Sequence, residues 1–219
     1  MAARPVFEVI PFQEGCVLER SCQFEWHAGF AISQKQKNID ALHAAYIAQT
    51  PGRAVLEIST KSNLELGVAH SAFNLEVRID NQLYPLESCY QGSKVFQRGG
   101  PFSDLLHSTP YEAKRDNRLR ECGPLIGFEL ENDRWPKLPK TMFYDWLYMR
   151  AVRDTGNIGD LSQFDAFTDI EFNPKKSISC QARSAAMAVS LFREKPENWL
   201  PDIQTMPSLY LGNSQGGLF

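Results

Sequence analysis

The chain has 219 residues, 43% of them hydrophobic and 22% charged, which is enough for one substantial domain or a domain with an extension and is ordinary for a soluble globular protein. A formal charge of -3 excludes a global basic signature, so any nucleic-acid contact has to come from a local cluster of Lys and Arg. Five cysteines without a CxxC pair argue against a disulfide framework and a zinc site, and no apolar run approaches the ~18–20 residues of a membrane span.

The opening Met-Ala-Ala-Arg-Pro lacks the apolar region of a secretory signal, and the cysteine usage suits a reducing compartment, so a cytoplasmic location is expected. Phe7–Ile10 and Gln23–His27 read as short strands, rich in aromatic and β-branched residues. Ser33, with Gln36 three residues on, has the pattern of a capping box. Ile39, Leu42, His43, Tyr46 and Ile47 then form a helical apolar stripe ended by Thr50-Pro51-Gly52, on which His43 reads as a packed core histidine. Lys35 and Lys37 fall in the first turn, where the helix dipole disfavours a cation. They are either two solvated lysines or, for Lys35, a candidate nucleophile reaching into a pocket. Ala54–Ile58 reads as a strand. Residues 1–53 are accordingly expected to be a small α+β extension, residues 54–195 the main body and residues 196–219 a tail.

Residues 59–83 read as loop and strand, with a turn at Asp80-Asn81. Tyr84–Phe96 then reads as a helix stopped by Arg98-Gly99-Gly100-Pro101. Glu87, Tyr90, Gln91 and Lys94 recur at i, i+3, i+4 and i+7 and share one face, where a surface helix usually carries its apolar stripe. The adjacent small residues Cys89, Gly92 and Ser93 allow another backbone to come close. This polar face is either a solvated helix side or the wall of a pocket in which a carboxylate moves protons and an amine attacks carbon. Glu112–Arg120 reads as an exposed helix. Its Lys114, Arg115, Arg118 and Arg120 form the densest basic run, a solvated face by default and a phosphate-facing patch as the alternative.

Ile126–Leu130 reads as a strand, Thr141–Arg153 as an amphipathic helix with Phe143, Trp146 and Leu147 on its core side. Phe167–Phe172 alternates, placing Asp169 and Glu171 on one side of a strand. Asn173-Pro174 breaks it and Lys175-Lys176 follow. Cys180–Phe192 is an Ala-rich helix suited to close packing, and the segment from Lys195 to Phe219, bearing Pro and Gly, reads as a loosely held tail.

In this order the pieces resemble the motifs of the NADAR superfamily, also called YbiA-like. The matching stretches are Leu56-Glu-Ile-Ser-Thr-Lys61, Gly67, His70-Ser-Ala-Phe73, Leu86-Glu-Ser-Cys-Tyr-Gln-Gly-Ser-Lys94, Arg134-Trp135, the helix from Met142 and Cys180-Gln-Ala-Arg-Ser184. The family's Glu…Gln-x-x-Lys spacing falls on Glu87, Gln91 and Lys94, and the likeness spans residues 55–193. Phe24–Lys37 and Phe167–Arg183 look like the branch encoded beside DarT-type toxins, which attach ADP-ribose to guanine bases in DNA and whose NADAR partners remove it. The sequence departs from the superfamily pattern at Ala72, where an Asn is usual, and at Asn173-Pro-Lys-Lys176, which replaces a D-x-x-W-G loop.

The resemblance implies a helix-rich α+β fold with a NADAR core and an antitoxin hydrolase. Its substrate would be ADP-ribosylated DNA, single-stranded in preference because a duplex base must first be exposed. Free ADP-ribose would be the product and a cognate DarT-type toxin a partner, with no metal, cofactor or membrane involved. Cleavage breaks a C–N bond at an anomeric carbon that gains oxocarbenium character. The resemblance also implies a lysine that forms a Schiff base with the ring-opened sugar. Lys94 is the first candidate, with Lys61 and Lys35 behind it, and each needs its pKa lowered from ~10.4 to attack near neutral pH. Glu87 is the candidate for proton transfer. Gln91 shares its face toward substrate, the Ser59–Lys61 turn and Ser71 are candidates for phosphate or ribose, and Phe73 or Trp135 for stacking on a base. Asp169 or Glu171 would bind ribose hydroxyls or act as second carboxylate. Two alternatives stand beside this reading. One is an N-glycosidase acting on phosphorylated aminopyrimidine ribosides of riboflavin synthesis. The other is a non-catalytic antitoxin that sequesters its toxin, against which the polar helix face argues, because a blocking surface favours apolar and aromatic anchors.

Overall fold

A computed structural model describes residues 1–155, 157–175 and 177–211. Strands β1 (Ala2–Val9) and β2 (Val17–Phe24) form a hairpin, followed by helix α1 (Ile32–Gln49), β3 (Val55–Glu57) and α2 (Glu65–Ala69). The hairpin β4 (Glu76–Ile79)–β5 (Gln82–Pro85) leads into α3 (Leu86–Gly92) and β6 (Lys94–Phe96). Then come α4 (Pro110–Arg115), α5 (Arg118–Glu121), β7 (Leu125–Leu130), β8 (Asp133–Pro136), α6 (Met142–Thr155), α7 (Ile158–Leu161), β9 (Ala166–Thr168), α8 (Gln181–Glu194) and α9 (Ser208–Leu211). The α+β class expected from the sequence is the one observed. Among the described residues no helix is long and apolar enough to cross a membrane.

A four-stranded sheet in the order β2-β1-β9-β3 is the central layer, antiparallel except where β3 runs parallel to β9. Period-two alternation splits its side chains between two cores. Phe7, Val9, Leu56 and Phe167 face α6 and α8, while Val6, Cys22, Phe24 and Ala166 face Ile39, Leu42 and Tyr46 of α1. With apolar layers on both sides, Pro5–Val9 is buried throughout, as expected for a central strand. Residues 1–53 thus contribute two strands and the helix on the back of the sheet. The alanines of α8, Ala182, Ala185, Ala186 and Ala188, are fully buried and let that helix lie close to the sheet and to α6. Two smaller units complete the frame: the β4–β5 hairpin and the antiparallel sheet β6-β7-β8. Asp80 and Asn81 close the hairpin with φ of 46° and 63°, the positive pair that a two-residue hairpin turn demands.

Several local readings need correction. The first strand starts earlier than Phe7, and Glu25–His27 lie outside β2. The His27 backbone instead pairs with Asn38, whose side chain accepts from His27 N (2.7 Å) and donates to His27 O (2.8 Å) and Gln34 O (2.9 Å). Those bonds secure the start of α1, whose N-cap is Ala31, so Ser33 lies inside the helix and forms no capping box. Ile47, at 43% exposure, is off the core stripe. His43 is mostly buried as read, its Nε2 2.8 Å from Thr168 Oγ1, and burial lowers its pKa to about 4. The expected helix over Glu112–Arg120 is two short ones. Thr109 and Glu112 form a capping box at the start of α4, and Asp116 accepts from Arg118 N (2.8 Å), a local turn that competes with helix. The strand expected over Phe167–Phe172 ends at Thr168, because Asp169 Oδ1 accepts from Glu171 N (3.0 Å) and Phe172 N (3.2 Å) and turns the chain. The segment after Lys195 is not loose over its described part: Trp199, Met206 and Leu209 are buried in the main core. The rest of that segment, including Gln215–Phe219, and Lys176 lie outside the described residues.

Gly67 holds α2 against the end of β3. A Cβ there would meet Glu57 O at 2.0 Å and Ser62 Oγ at 2.3 Å, and the backbone oxygen cannot move aside cheaply. Gly67→Ala is therefore expected to cost about 2–3 kcal/mol, read as a lower denaturant midpoint. An unchanged midpoint would contradict the close approach.

Candidate active site

The helix expected over Tyr84–Phe96 is shorter than read. Tyr84 and Pro85 belong to β5, Pro85 is the N-cap, and α3 ends at Gly92 with Ser93 as C-cap. Gly92 ends on a tight contact: its carbonyl accepts from Phe102 N (2.7 Å), and a Cβ would lie 3.0 Å from Phe102 O and 2.8 Å from Leu106 Cδ1. Lys94 is therefore the first residue of β6, paired with Phe128 of β7. Its long side chain still folds back onto the α3 face. Lys94 Nζ donates to Gln91 Oε1 (2.6 Å), and Gln91 Nε2 donates to Glu87 Oε1 (2.7 Å). The amide thus links amine to carboxylate with both of its ends satisfied. Lys114 Nζ, from α4, stands 3.8 Å from Glu87 Oε1. Lys94 Nζ also lies 4.7 Å over the Tyr90 ring, which stacks on Phe128 and meets Tyr144 edge-on. Burial on this aromatic floor lowers the Lys94 pKa to about 8; Glu87 opposes the shift and Lys114 adds to it.

The opposite wall is the turn after β9. Asp169 is 8% exposed and accepts from Gln181 Nε2 (2.9 Å) at the start of α8, while Gln181 Oε1 accepts from Ala72 N (2.6 Å). Behind it sits Glu57, which accepts from Ser59 Oγ (2.7 Å), Thr168 Oγ1 (2.6 Å) and Ile170 N (2.8 Å). Burial first, and the Glu57 charge second, raise the Asp169 pKa above the usual carboxylate range, and burial raises Glu57. Two buried carboxyl groups beside each other favour the state in which at least one carries a proton. Glu171 is half-exposed and pairs with Lys35 Nζ (2.9 Å), which reaches the rim from the first turn of α1. Between the walls lies a cavity of about 740 Å³, within the range of small-molecule sites.

The sequence candidates separate in space. Glu87, Gln91, Lys94, Phe73, Asp169 and Glu171 line the cavity, and Lys35 touches it through Glu171. Lys61 does not line it: its Nζ donates to Thr60 Oγ1 (3.1 Å), and Ser59 is committed to Glu57. Ser71 is fully buried off the cavity wall. Trp135 is 2% exposed, its ring centroid 5.6 Å from Phe143 and 4.7 Å from Trp146, so it has no free face for a base. Of the basic run, only Lys114 faces the cavity. Arg115 lies 3.7 Å over the Tyr111 ring and Arg118 is held by Asp104 and Asp116. Sequence reasoning gave no role to Glu57, Gln181 or Tyr144. A carboxylate inside the apolar strand Val-Leu-Glu-Ile was the available signal for Glu57, since such a group is rarely buried without a purpose.

Fold and cavity together define an α+β protein with a cavity lined by a partly buried amine and by buried carboxyl groups. The chain belongs to the DarT1-associated NADAR antitoxin family, whose profile matches residues 2–211. No curated protein matches it.

Proposed function

We propose that this antitoxin is an enzyme, an N-glycosidase that removes ADP-ribose from guanine bases in DNA and so reverses the action of a DarT-type toxin. The observation that carries the reading is Lys94, an amine brought to a pKa of about 8 and aimed into a cavity whose far wall is a protonatable carboxyl group. A tenth of such a group is unprotonated at pH 7, far more than for a free lysine.

The exocyclic guanine nitrogen is bonded to the anomeric carbon of the distal ribose. Asp169, with its raised pKa, donates a proton to the ring oxygen; the C–O bond breaks and the nitrogen lone pair forms an imine to the base. The free Lys94 amine adds to that carbon, a proton moves between the two nitrogens by way of Glu87, and the guanine amine leaves as the lysine imine forms. Water adds to this imine and expels Lys94 as an amine, giving the open-chain aldehyde of ADP-ribose, which recloses as the ring oxygen returns its proton. One water is consumed and one C–N bond to the base is lost. Glu171 takes ribose hydroxyls and its partner Lys35 a phosphate, a reading supported by their pairing at the cavity rim.

The test is to mix a substoichiometric amount of protein with a guanine-ADP-ribosylated single strand and follow free ADP-ribose and restored DNA by mass. Multiple turnovers are expected, and borohydride added during turnover is expected to fix a sugar adduct on the peptide bearing Lys94. Clearance limited to one equivalent, or none, would rule out catalysis; an adduct on another lysine would displace Lys94. A sequestering antitoxin has no use for a buried amine of lowered pKa in a cavity, and it clears no modified DNA.

A further inference from the structure

The mouth of the cavity differs in character from its interior. One lip is the loop between β8 and α6, which presents Lys137, Leu138 and Lys140; the other, between the Asp169 turn and α8, presents Ile178. Leu138 is 57% exposed, Ile178 58% and Phe73, which also borders the opening, 45%. The carboxyl groups inside already have partners: Glu87 pairs with Lys114 and accepts from Gln91, Asp169 accepts from Gln181, and Glu171 pairs with Lys35. Lys137 and Lys140 are exposed, and among the described residues no carboxylate forms an ion pair with either. Unmatched cations beside exposed apolar side chains suit a flexible polyanion with flat apolar faces, whose phosphates meet the cations while its bases cover the apolar groups. A protein-docking patch would be depleted in lysine instead.

We propose that this rim is the docking track for the DNA strand on either side of the modified base. Lys137 and Lys140 take backbone phosphates, and Leu138, Ile178 and Phe73 take the faces of neighbouring bases. The assignment of the strand as DNA rests on the glycosidase reading, but its test does not need turnover. Phosphates at this mouth have two sources, the strand and the diphosphate of ADP-ribose, and the lip position assigns these two lysines to the strand.

The experiment compares the whole protein with a Lys137→Ala/Lys140→Ala variant, both residues being exposed and without an ion pair among the described residues. Affinity for an unmodified labelled single strand of about 12 nucleotides is read by anisotropy between about 50 and 200 mM salt. Affinity for ADP-ribose is read by calorimetry. The variant is expected to bind the strand on the order of tenfold more weakly at low salt, and the slope of log K against log[salt] is expected to shrink by about 1.4, or 0.7 for each lost phosphate contact. ADP-ribose affinity is expected to change by less than about twofold, as for a phosphate-only strand contact. An equal loss on both ligands would move the lysines to the diphosphate and overturn the track. So would unchanged strand affinity, or a native protein that does not bind the strand. A native protein that binds the strand but neither binds nor releases ADP-ribose would leave the track standing and remove the glycosidase reading.

Discussion

Lys94→Met is expected to lose turnover by roughly a thousandfold or more, as removal of a nucleophile does, and at the same time to become more stable than the native protein. The same cause produces both effects. Burial on the aromatic floor brings the amine from its ordinary 10.5 to about 8. At pH 7 the native protein therefore holds a protonated amine that would rather be in water, at about 1.4 kcal/mol per unit and about 3 kcal/mol in all. Methionine fills the same space without the charge. It forfeits the bond to Gln91 and the ring contact with Tyr90, which leaves a net gain of about 1–2 kcal/mol, or about 2–8 °C in Tm for a chain of this size. The pH dependence has a definite sign. Between about 8 and 10.5 the unfolded chain holds the Lys94 proton and the folded protein has released it, so native stability rises with pH in that window and the advantage of the variant shrinks. Turnover by the native protein needs Lys94 free and Asp169 protonated together, so it should peak between their pKa values of about 8 and about 7 and fall on either side. Calorimetry of both proteins at pH 7 and 9.5 checks the first point and a pH–rate profile the second. A lower Tm for the variant, or a gap that does not change with pH, would mean that Lys94 is not a destabilised amine.

How much of this was legible beforehand depends on how local each feature is. Glu87, Gln91 and Lys94 were found by spacing alone, although the helix that suggested the spacing stops at Gly92. The grouping survived because a lysine side chain is long enough to return from the first residue of β6 to the face of α3. Asp169 and Glu171 were picked from their motif, but the alternating pattern hid the turn that the Asp169 carboxylate imposes on its own backbone. The basic run was visible as a run. Which of its cations faces inward depends on the break at Asp116, and only the Lys114 side of that break sees Glu87. Ala72 meets Gln181, and Glu57 meets Thr168 and Ile170, through bonds that join distant parts of the chain, and no window of sequence holds such pairs together. Trp135 looked free to stack because its partners Phe143 and Trp146 lie on another element. The segment after Lys195 looked loose from its prolines, while Trp199, Met206 and Leu209 were the apolar anchors that hold it.

The second large effect is expected away from the cavity, at the point where α6, α8 and α9 meet. Asp145 has no exposed surface, yet it accepts from Ser184 Oγ (2.6 Å), Tyr210 Oη (2.5 Å) and Arg183 Nη1 (2.5 Å). Arg183 is itself 21% exposed and sits 5.6 Å over the Tyr210 ring, so one carboxylate fastens the C-terminal segment to two core helices. Asp145→Ala leaves the guanidinium without its counter-charge in a largely dry place and strips Tyr210 of its acceptor. The loss should be about 4 kcal/mol, close to that measured for broken buried ion pairs, with Tm falling by about 8–16 °C. The penalty belongs to the stranded charge rather than to the bond, because pairing only repays what desolvation of both ions has cost. The double change Asp145→Ala/Arg183→Met should therefore recover most of the loss of Asp145→Ala, whereas lesions independent of each other would add to that of Arg183→Met alone. Melting curves of the two single variants and the double variant decide the matter. Recovery in the double variant identifies an ion pair that fixes how the C-terminal segment docks, and additive losses would instead make Asp145 a packing and hydrogen-bonding residue that the core cannot replace.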